Sequence, residues 1–336
     1  MLLPSLSELL AQMHVVTLDL QKEFRGVTSR ELVLFEGPSG WGEFAPFLNH
    51  EDQHSARWLQ GAIEAAFGQW PVARRESFEV NAIVPLIPAD QIDLYVEDLF
   101  LKSGFRTYKI KCGSEKFADD LDRVSQLRTT LDRLVGTGAK IRIDINGLWS
   151  VTDAVERINQ LDTAARGLEY VEQPVASLED CSAIRKAVDV PIAIDEGIRL
   201  LADTDANLKN IQLAGDIAIL KAIPLGGVKR SLELADDLKM PVVVSGSMDS
   251  SIGLASGAAL AAALPELTFA SGLGTGLLLK NDVVREFQIP LEGRMSAFRC
   301  EPDFAELESA TRRTDVERVT YWEQRLTRCY KVLEKW

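Results

Sequence analysis

The chain has 336 residues, 46% of them hydrophobic, which is enough for a sizeable core and long for a single domain. Fifty acidic residues against 37 basic ones leave a net charge of -13, which argues against a general nucleic-acid or anionic-membrane binder, since either needs a basic face. A local cation cluster could still serve a small anionic substrate. No apolar run approaches the ~18 residues of a membrane span. The opening MLLPSLSELLAQMH lacks the basic start and cleavage site of a signal peptide. Cys112, Cys181, Cys300 and Cys329 are scattered and form no CxxC, the usage expected of reduced thiols in a cytoplasmic protein. Only three histidines are present, His14, His50 and His54, which argues against a histidine-rich zinc site.

Residues 1–79 do not follow a strand–helix rhythm. His14–Leu20 and Arg30–Phe35 read as strands, with a polar loop over residues 21–28 that carries Phe24 and Arg25. A turn at Gly37–Gly40, the segment Trp41–Pro46 and a helix over Glu51–Phe67 complete an expected α+β capping domain. From residue 80 the rhythm changes. Strands are predicted at Val80–Pro85, Thr107–Lys111, Lys140–Ile145, Glu169–Glu172, Pro191–Asp195, Asp216–Lys221, Pro241–Val244 and Leu267–Ser271. Helical patterns lie between them, including Asp90–Leu101 ending at Gly104, Val151–Ala165 capped by Ser150, and a short one near Leu200–Leu208. The alanine-rich helix Ser251–Leu264 reads as tight packing. Eight strands and seven helices predict an α/β fold, a modified TIM-type (β/α)7β barrel over residues 80–279. Residues 280–336, with a helix over Asp315–Lys335, are expected to pack back on the cap.

The charged residues recur at strand ends. Lys109 and Lys111 share one face of their strand, and Arg142, Asp144 and Asn146 share one face of the next. Glu172, Asp195 and Lys221 end the following three apolar runs. In a parallel barrel these positions converge on one mouth. Three carboxylates with no histidine or thiolate beside them favour a hard cation, Mg2+ first and Mn2+ second. The competing reading pairs each carboxylate with a nearby lysine. A lysine beside a second ammonium and a metal loses affinity for its proton and becomes a candidate base.

GWGEFAP, KIK, DIN, YVEQP, IDE and the lysine of the sixth barrel strand, in that order over nearly the whole chain, resemble the enolase superfamily, muconate-lactonizing-enzyme-like subgroup. The resemblance implies Asp144, Glu172 and Asp195 as Mg2+ ligands. The seventh strand, VVVSGSMDSS, has no histidine, which disfavours a mandelate-racemase mechanism, and SGLGTGLLL lacks the Asp-x-Asp of dipeptide epimerases. Phe24–Thr28, Arg142-x-Asp144-x-Asn146, Ser245–Gly246–Ser247 and Gly272–Gly276 are most similar to the o-succinylbenzoate synthase family of menaquinone biosynthesis. That similarity implies a cytoplasmic lyase (a hydro-lyase) that dehydrates 2-succinyl-6-hydroxy-2,4-cyclohexadiene-1-carboxylate through an enediolate. Lys111 would be the base and Lys221 would face it as charge stabiliser. Lys109 would tune Lys111 and touch the substrate carboxylate. Arg142, Asn146, the backbone of Ser245, Gly246, Ser247, Gly272, Leu273 and Gly274, and the cap residues Phe24 and Arg25 are expected around a small-molecule dicarboxylate. No nucleic acid or membrane partner is implied, and the oligomeric state stays open. An N-succinylamino-acid racemase or a muconate-type cycloisomerase remains an alternative with the same lysines, and a non-catalytic barrel scaffold is a further one.

Overall fold

The computed structural model describes residues 3–24, 26–201 and 205–336, apart from the side chains at positions 201 and 205. The cap opens with α1 (Leu6–Ala11), then the antiparallel sheet β1 (Met13–Phe24), β2 (Val27–Gly37) and β3 (Gly40–Phe44), and α2 (Asp52–Phe67). The loop expected over residues 21–28 is instead the end of a long hairpin. Gln21, Lys22 and Glu23 are exposed on strand β1, and Phe24 pairs with Val27 after a register shift that begins at Asp19. Polarity there marks a solvated strand face, and Gly26, at φ 72°, makes the turn. Arg25 lies outside the described residues.

After β4 (Phe78–Glu79), the barrel follows as β5 (Ala82–Val84), α3 (Ala89–Ser103), β6 (Thr107–Lys111), α4 (Phe117–Leu134), β7 (Lys140–Asp144), α5 (Val151–Ala165) and β8 (Leu168–Glu172). It continues through α6 (Leu178–Arg185), β9 (Ile192–Ile194), α7 (Glu196–Leu201), α8 (Asp205–Ala214), β10 (Ile217–Leu220), α9 (Val228–Leu238), β11 (Val242–Val244) and α10 (Ser251–Ala263). The seven strands β5 to β11 form one parallel sheet in sequence order. The eighth predicted strand does not form an element. Single parallel bridges, Val80↔Ser271 and Ser245↔Gly272, close the curled sheet instead. A Cβ at Gly272 would meet Ser245 Oγ at 2.8 Å, so the approach there is too close for another residue.

Alternation explains the layers. Tyr108, Ile110, Ile141, Ile143, Val171, Ile192, Ile194, Ala218, Leu220, Val242 and Val244 face outward into the core shared with the helices. Tyr170, Ala193, Ile217, Ile219 and Val243 fill the inside of the barrel below the mouth. The short helix expected near Leu200–Leu208 is two helices, the first starting at Glu196 directly after Asp195. Every residue of α10 is buried, as its alanine content suggests. A 3-10 turn (Gly274–Leu278), β12 (Arg294–Met295) paired with β4, α11 (Phe304–Arg312) and α12 (Val316–Leu333) complete the chain. Trp322, Leu326 and Tyr330 of α12 pack with Phe44, Trp58 and Leu59 of the cap. All four cysteines are free. No helix among the described residues is long and apolar enough to cross a membrane.

Candidate active site

Register brings the charged residues together. Lys111 pairs with Asp144 and Asp144 with Glu172 across β6, β7 and β8, so these three share one level at the C-terminal strand ends. Asp195 and Lys221 follow β9 and β10 directly. The predicted lysines and carboxylates thus meet at one mouth, buried to within 9% of full occlusion.

Each carboxylate is turned onto a lysine. Lys109 Nζ donates to both oxygens of Glu172, at 3.1 and 2.9 Å, and lies 3.5 Å from Asp144 Oδ2. Lys111 Nζ bonds Asp144 Oδ2 closely and donates to Asn146 Oδ1 at 2.9 Å. Lys221 Nζ donates to Asp195 Oδ2 at 2.6 Å. Burial and the charges of Asp144 and Lys109, acting in opposite senses, leave Glu172 pushed up to about 7. Burial alone would raise Asp195 as well, yet Lys221 and Arg199 hold it down at about 2. Burial works against the Lys109 ammonium, but Glu172 and Asp144 raise its pKa well above that of a free lysine.

Among the described residues, no three carboxylate, imidazole or thiol groups converge closely enough to hold a cation in this arrangement. The donor set nevertheless suits one. Asp144, Glu172 and Asp195 supply only hard oxygens, and Asp195 Oδ1 is buried without a hydrogen-bond partner. An acceptor left in that state is costly unless something fills it.

The remaining predicted residues divide. Asn146, at φ 53°, holds Lys111 and donates Nδ2 to Glu196 Oε1 at 3.2 Å, so it belongs to the mouth. Phe24 covers it: Lys111 Nζ lies 5.4 Å from the ring centroid, and the ring packs in the cluster of Ile83, Met248 and Leu278. Arg142 is not brought to the mouth. It sits level with Lys109 and Tyr170, is fully buried, and donates to Glu169 (2.5 Å), Asn81 Oδ1 (2.8 Å) and the carbonyl of Ala270 (2.7 Å). Two residues along a strand share a face but differ in depth by about 6–7 Å. Leu273 is likewise in the core, against Gly257. The amides of Ser245, Gly246 and Gly272 donate to the carbonyls of Leu220, Gly272 and Val244, and that of Ser247 donates to Asp249 Oδ2. These four amides serve barrel closure and a local turn. Gly274 opens the 3-10 turn, where a Cβ would meet the Asn81 carbonyl at 2.7 Å.

Sequence reasoning missed Gln173, whose Oε1 accepts from the amides of Asp195 and Gly197 and whose Nε2 donates to the Val175 carbonyl. Its place beside Glu172 in YVEQP was the available signal. Arg199, 3.8 Å from Asp195 and 3.6 Å from Glu196, gave none.

The Enolase C-terminal domain-like family matches residues 94–301, and the Enolase N-terminal domain-like family matches residues 15–66. The o-succinylbenzoate synthase of Mycobacterium leprae (strain TN) is 42% identical over 334 residues, covering 99% of this chain and 95% of that one. The o-succinylbenzoate synthase of Mycolicibacterium smegmatis is 42% identical over 333 residues and covers 98% of both chains. Among solved structures, muconate lactonizing enzyme from Pseudomonas putida superposes with a TM-score of 0.72 at 18% identity, over 90% of this chain and 97% of that one.

Proposed function

We propose that this chain, which belongs to the enolase superfamily and within it to the o-succinylbenzoate synthase family, dehydrates 2-succinyl-6-hydroxy-2,4-cyclohexadiene-1-carboxylate to o-succinylbenzoate in menaquinone biosynthesis. The observation that carries the reading is the pair Lys111 and Lys221, each at the end of a different barrel strand and each held by its own carboxylate. Asp144, Glu172 and Asp195 would hold Mg2+, with Mn2+ as its substitute. When bound, the metal would supply the positive charge that stabilises the substrate carboxylate as its α-proton leaves.

The chain's own groups do the rest. Lys111 Nζ takes the α-proton and returns a proton to the hydroxyl, which departs as water. Asn146 fixes the reach of Lys111. Lys221, from the other side of the mouth, stabilises charge and faces the ring as it becomes aromatic. Lys109, a layer deeper and bonded to Glu172, orients that carboxylate and adds its charge below Lys111. The placement of Phe24 supports a role in excluding water.

The division into a cap of residues 1–79 with 280–336, and a barrel of residues 80–279, is supported by the shared packing of α2 and α12. We place the enzyme in the cytoplasm with a small-molecule dicarboxylate as its partner. The test is turnover of the cyclohexadiene substrate by purified protein, followed by loss of its absorbance with and without EDTA. Activity that EDTA abolishes and Mg2+ restores is expected, with Asp195→Asn inactive. No turnover of this substrate alongside racemisation of an N-succinylamino acid would transfer the site to the alternative reaction.

A further inference from the structure

The connection from β10 to α9 carries Lys221 and is buried along its whole length, residues 221–228. Connections usually run over a surface, where water meets their backbone groups. Here the cover is α2 of the cap. Ile223, two positions after Lys221, belongs to the same buried cluster as Trp58, Leu59 and Ile63 of α2. Among the described residues it is the one barrel residue in that cap core. Gly61 of α2 sits against it, where a Cβ would meet the Ile223 carbonyl oxygen at 2.7 Å and its Cα at 2.9 Å. Within the connection, the Leu225 amide donates to the Lys221 carbonyl at 3.1 Å and the Gly227 amide to the Ala222 carbonyl at 2.8 Å. Lys221 is therefore tied into the turn that α2 covers.

That turn leads into a helix that does not cap itself. The N-cap residue of α9 is Gly227, which has no side chain to accept from the first free amides, and the first helical turn holds no acidic residue. The acceptor comes from the cap domain instead. Glu64 of α2 accepts from the Val228 amide through Oε2 and from the Lys229 amide, at 3.0 Å, through Oε1. A carboxylate also suits the positive end of a helix. Gly227, at φ 117°, leaves room for it, since a Cβ there would collide with the Glu64 carboxylate. One helix of the cap thus presses on the middle of the turn with Gly61 and holds its far end with Glu64.

We propose that Glu64 and Gly61 are positioning residues for Lys221, fixing the turn that aims its ammonium into the mouth. Neither touches a reacting atom. The proposal rests on the dehydratase reading above, in which Lys221 stabilises charge as the ring becomes aromatic. It adds that the cap completes the placement of the lysine on the sixth barrel strand.

The test compares Glu64→Leu, Glu64→Gln and Gly61→Ala in the full-length protein by steady-state turnover, Mg2+ calorimetry and deuterium uptake. Glu64→Leu removes both acceptors. Its kcat should fall at least about tenfold, because ångström-scale misplacement costs up to about 100-fold, while KM and Mg2+ affinity hold within about threefold. Uptake over residues 221–229 should rise while that over residues 107–111 stays unchanged. Glu64→Gln keeps a carbonyl acceptor for these amides and should recover most of the lost kcat. Alanine is a better helix former than glycine, so a loss of kcat in Gly61→Ala reports displacement of Ile223 and not a weakened α2. Arg318→Met breaks the pair with Glu31 elsewhere in the cap, and should lower the melting temperature with kcat unchanged. A Glu64→Leu protein that melts earlier but keeps its kcat overturns the positioning role. So does a fall in Mg2+ affinity as large as the fall in kcat, which would place the damage at Asp195. If Glu64→Leu does not fold, Gly61→Ala decides, and an unchanged kcat there overturns the proposal. In each of these cases turnover by the unmodified protein leaves the dehydratase reading standing. No turnover by the unmodified protein overturns that reading and the positioning role with it.

Discussion

Replacing Arg142 with Met separates a structural role from a substrate-binding one. The side chain is fully buried, and its removal strips donors from Glu169, Asn81 and the Ala270 carbonyl. Glu169 would then keep Lys140, at 2.8 Å, whose side chain is 55% exposed and therefore weakly held. Removing one partner of a buried ion pair costs about 3–5 kcal/mol. An unfolding entropy of about 2.1 cal mol−1 K−1 per residue gives about 0.7 kcal mol−1 K−1 for a chain of this length. The melting temperature should therefore fall by about 4–7 °C if the chain unfolds as one unit. The Ala270 bond lies beside the bridges that close the barrel, so the loss should weaken closure in particular. Near-UV circular dichroism would follow the melt, and kcat/KM at 25 °C should stay within about threefold, because Arg142 lies a layer below Asp144. An unchanged melting temperature with a large rise in KM would refute this reasoning and return Arg142 to the substrate.

Lys111→Ala should lose at least the ~10²–10⁴-fold that a general acid–base group contributes, and Lys221→Arg should be severely impaired because a guanidinium lacks the compact shape of an ammonium. Both should still bind Mg2+ by calorimetry, and an active Lys111→Ala beside a dead Lys221→Ala would exchange their roles. Phe24→Leu keeps an apolar side chain in the Ile83–Met248 cluster but removes the face that Lys111 meets, so kcat/KM should drop severalfold with little change in melting temperature. An unaltered kcat/KM would leave Phe24 a packing residue only. Burial and the charge of Asp249 push Glu43 up to about 8, while it accepts from the Ser250 and Gly253 amides at the start of α10. An acid whose folded pKa is raised contributes stability that is full below about pH 4.5 and is lost as pH climbs through about 8. Melting temperature relative to Glu43→Gln should fall across that window, and a flat or rising difference would show that Glu43 is ionised throughout.

The barrel was legible because its strands alternate so strictly. Tyr108 and Ile110 turn outward to the helices while Lys109 and Lys111 turn inward, and the sequence carries that division directly. The metal-ligand candidates and lysines were legible for the same reason, together with their position at strand ends. Depth was not. Arg142 and Asp144 share a face, and no local signal says that one closes the floor while the other meets the mouth. The amides of Ser245, Gly246 and Gly272 were misread because their use depends on strands distant in sequence. Residues 21–23 were misread because a solvated strand and a loop have the same composition. His50 and Arg199 lie 149 positions apart and follow no shared periodicity, so only folding brings them together.

The pairing within the mouth also bears on how a lysine becomes a base. Lys109 with Glu172, Lys111 with Asp144 and Lys221 with Asp195 set three ammoniums against three carboxylates, and the site balances itself. A divalent cation alone would bring two positive charges into this buried space, and a dicarboxylate alone would bring two negative ones. Either imbalance is expensive at this depth, whereas the two together add none. Carboxylates that turn toward a cation must loosen their hold on the lysines, and the same contacts raise the proton affinity of Lys109. Releasing Lys111 from Asp144 would leave Asn146 to aim it. The arrangement thus favours metal and substrate arriving together over either arriving alone.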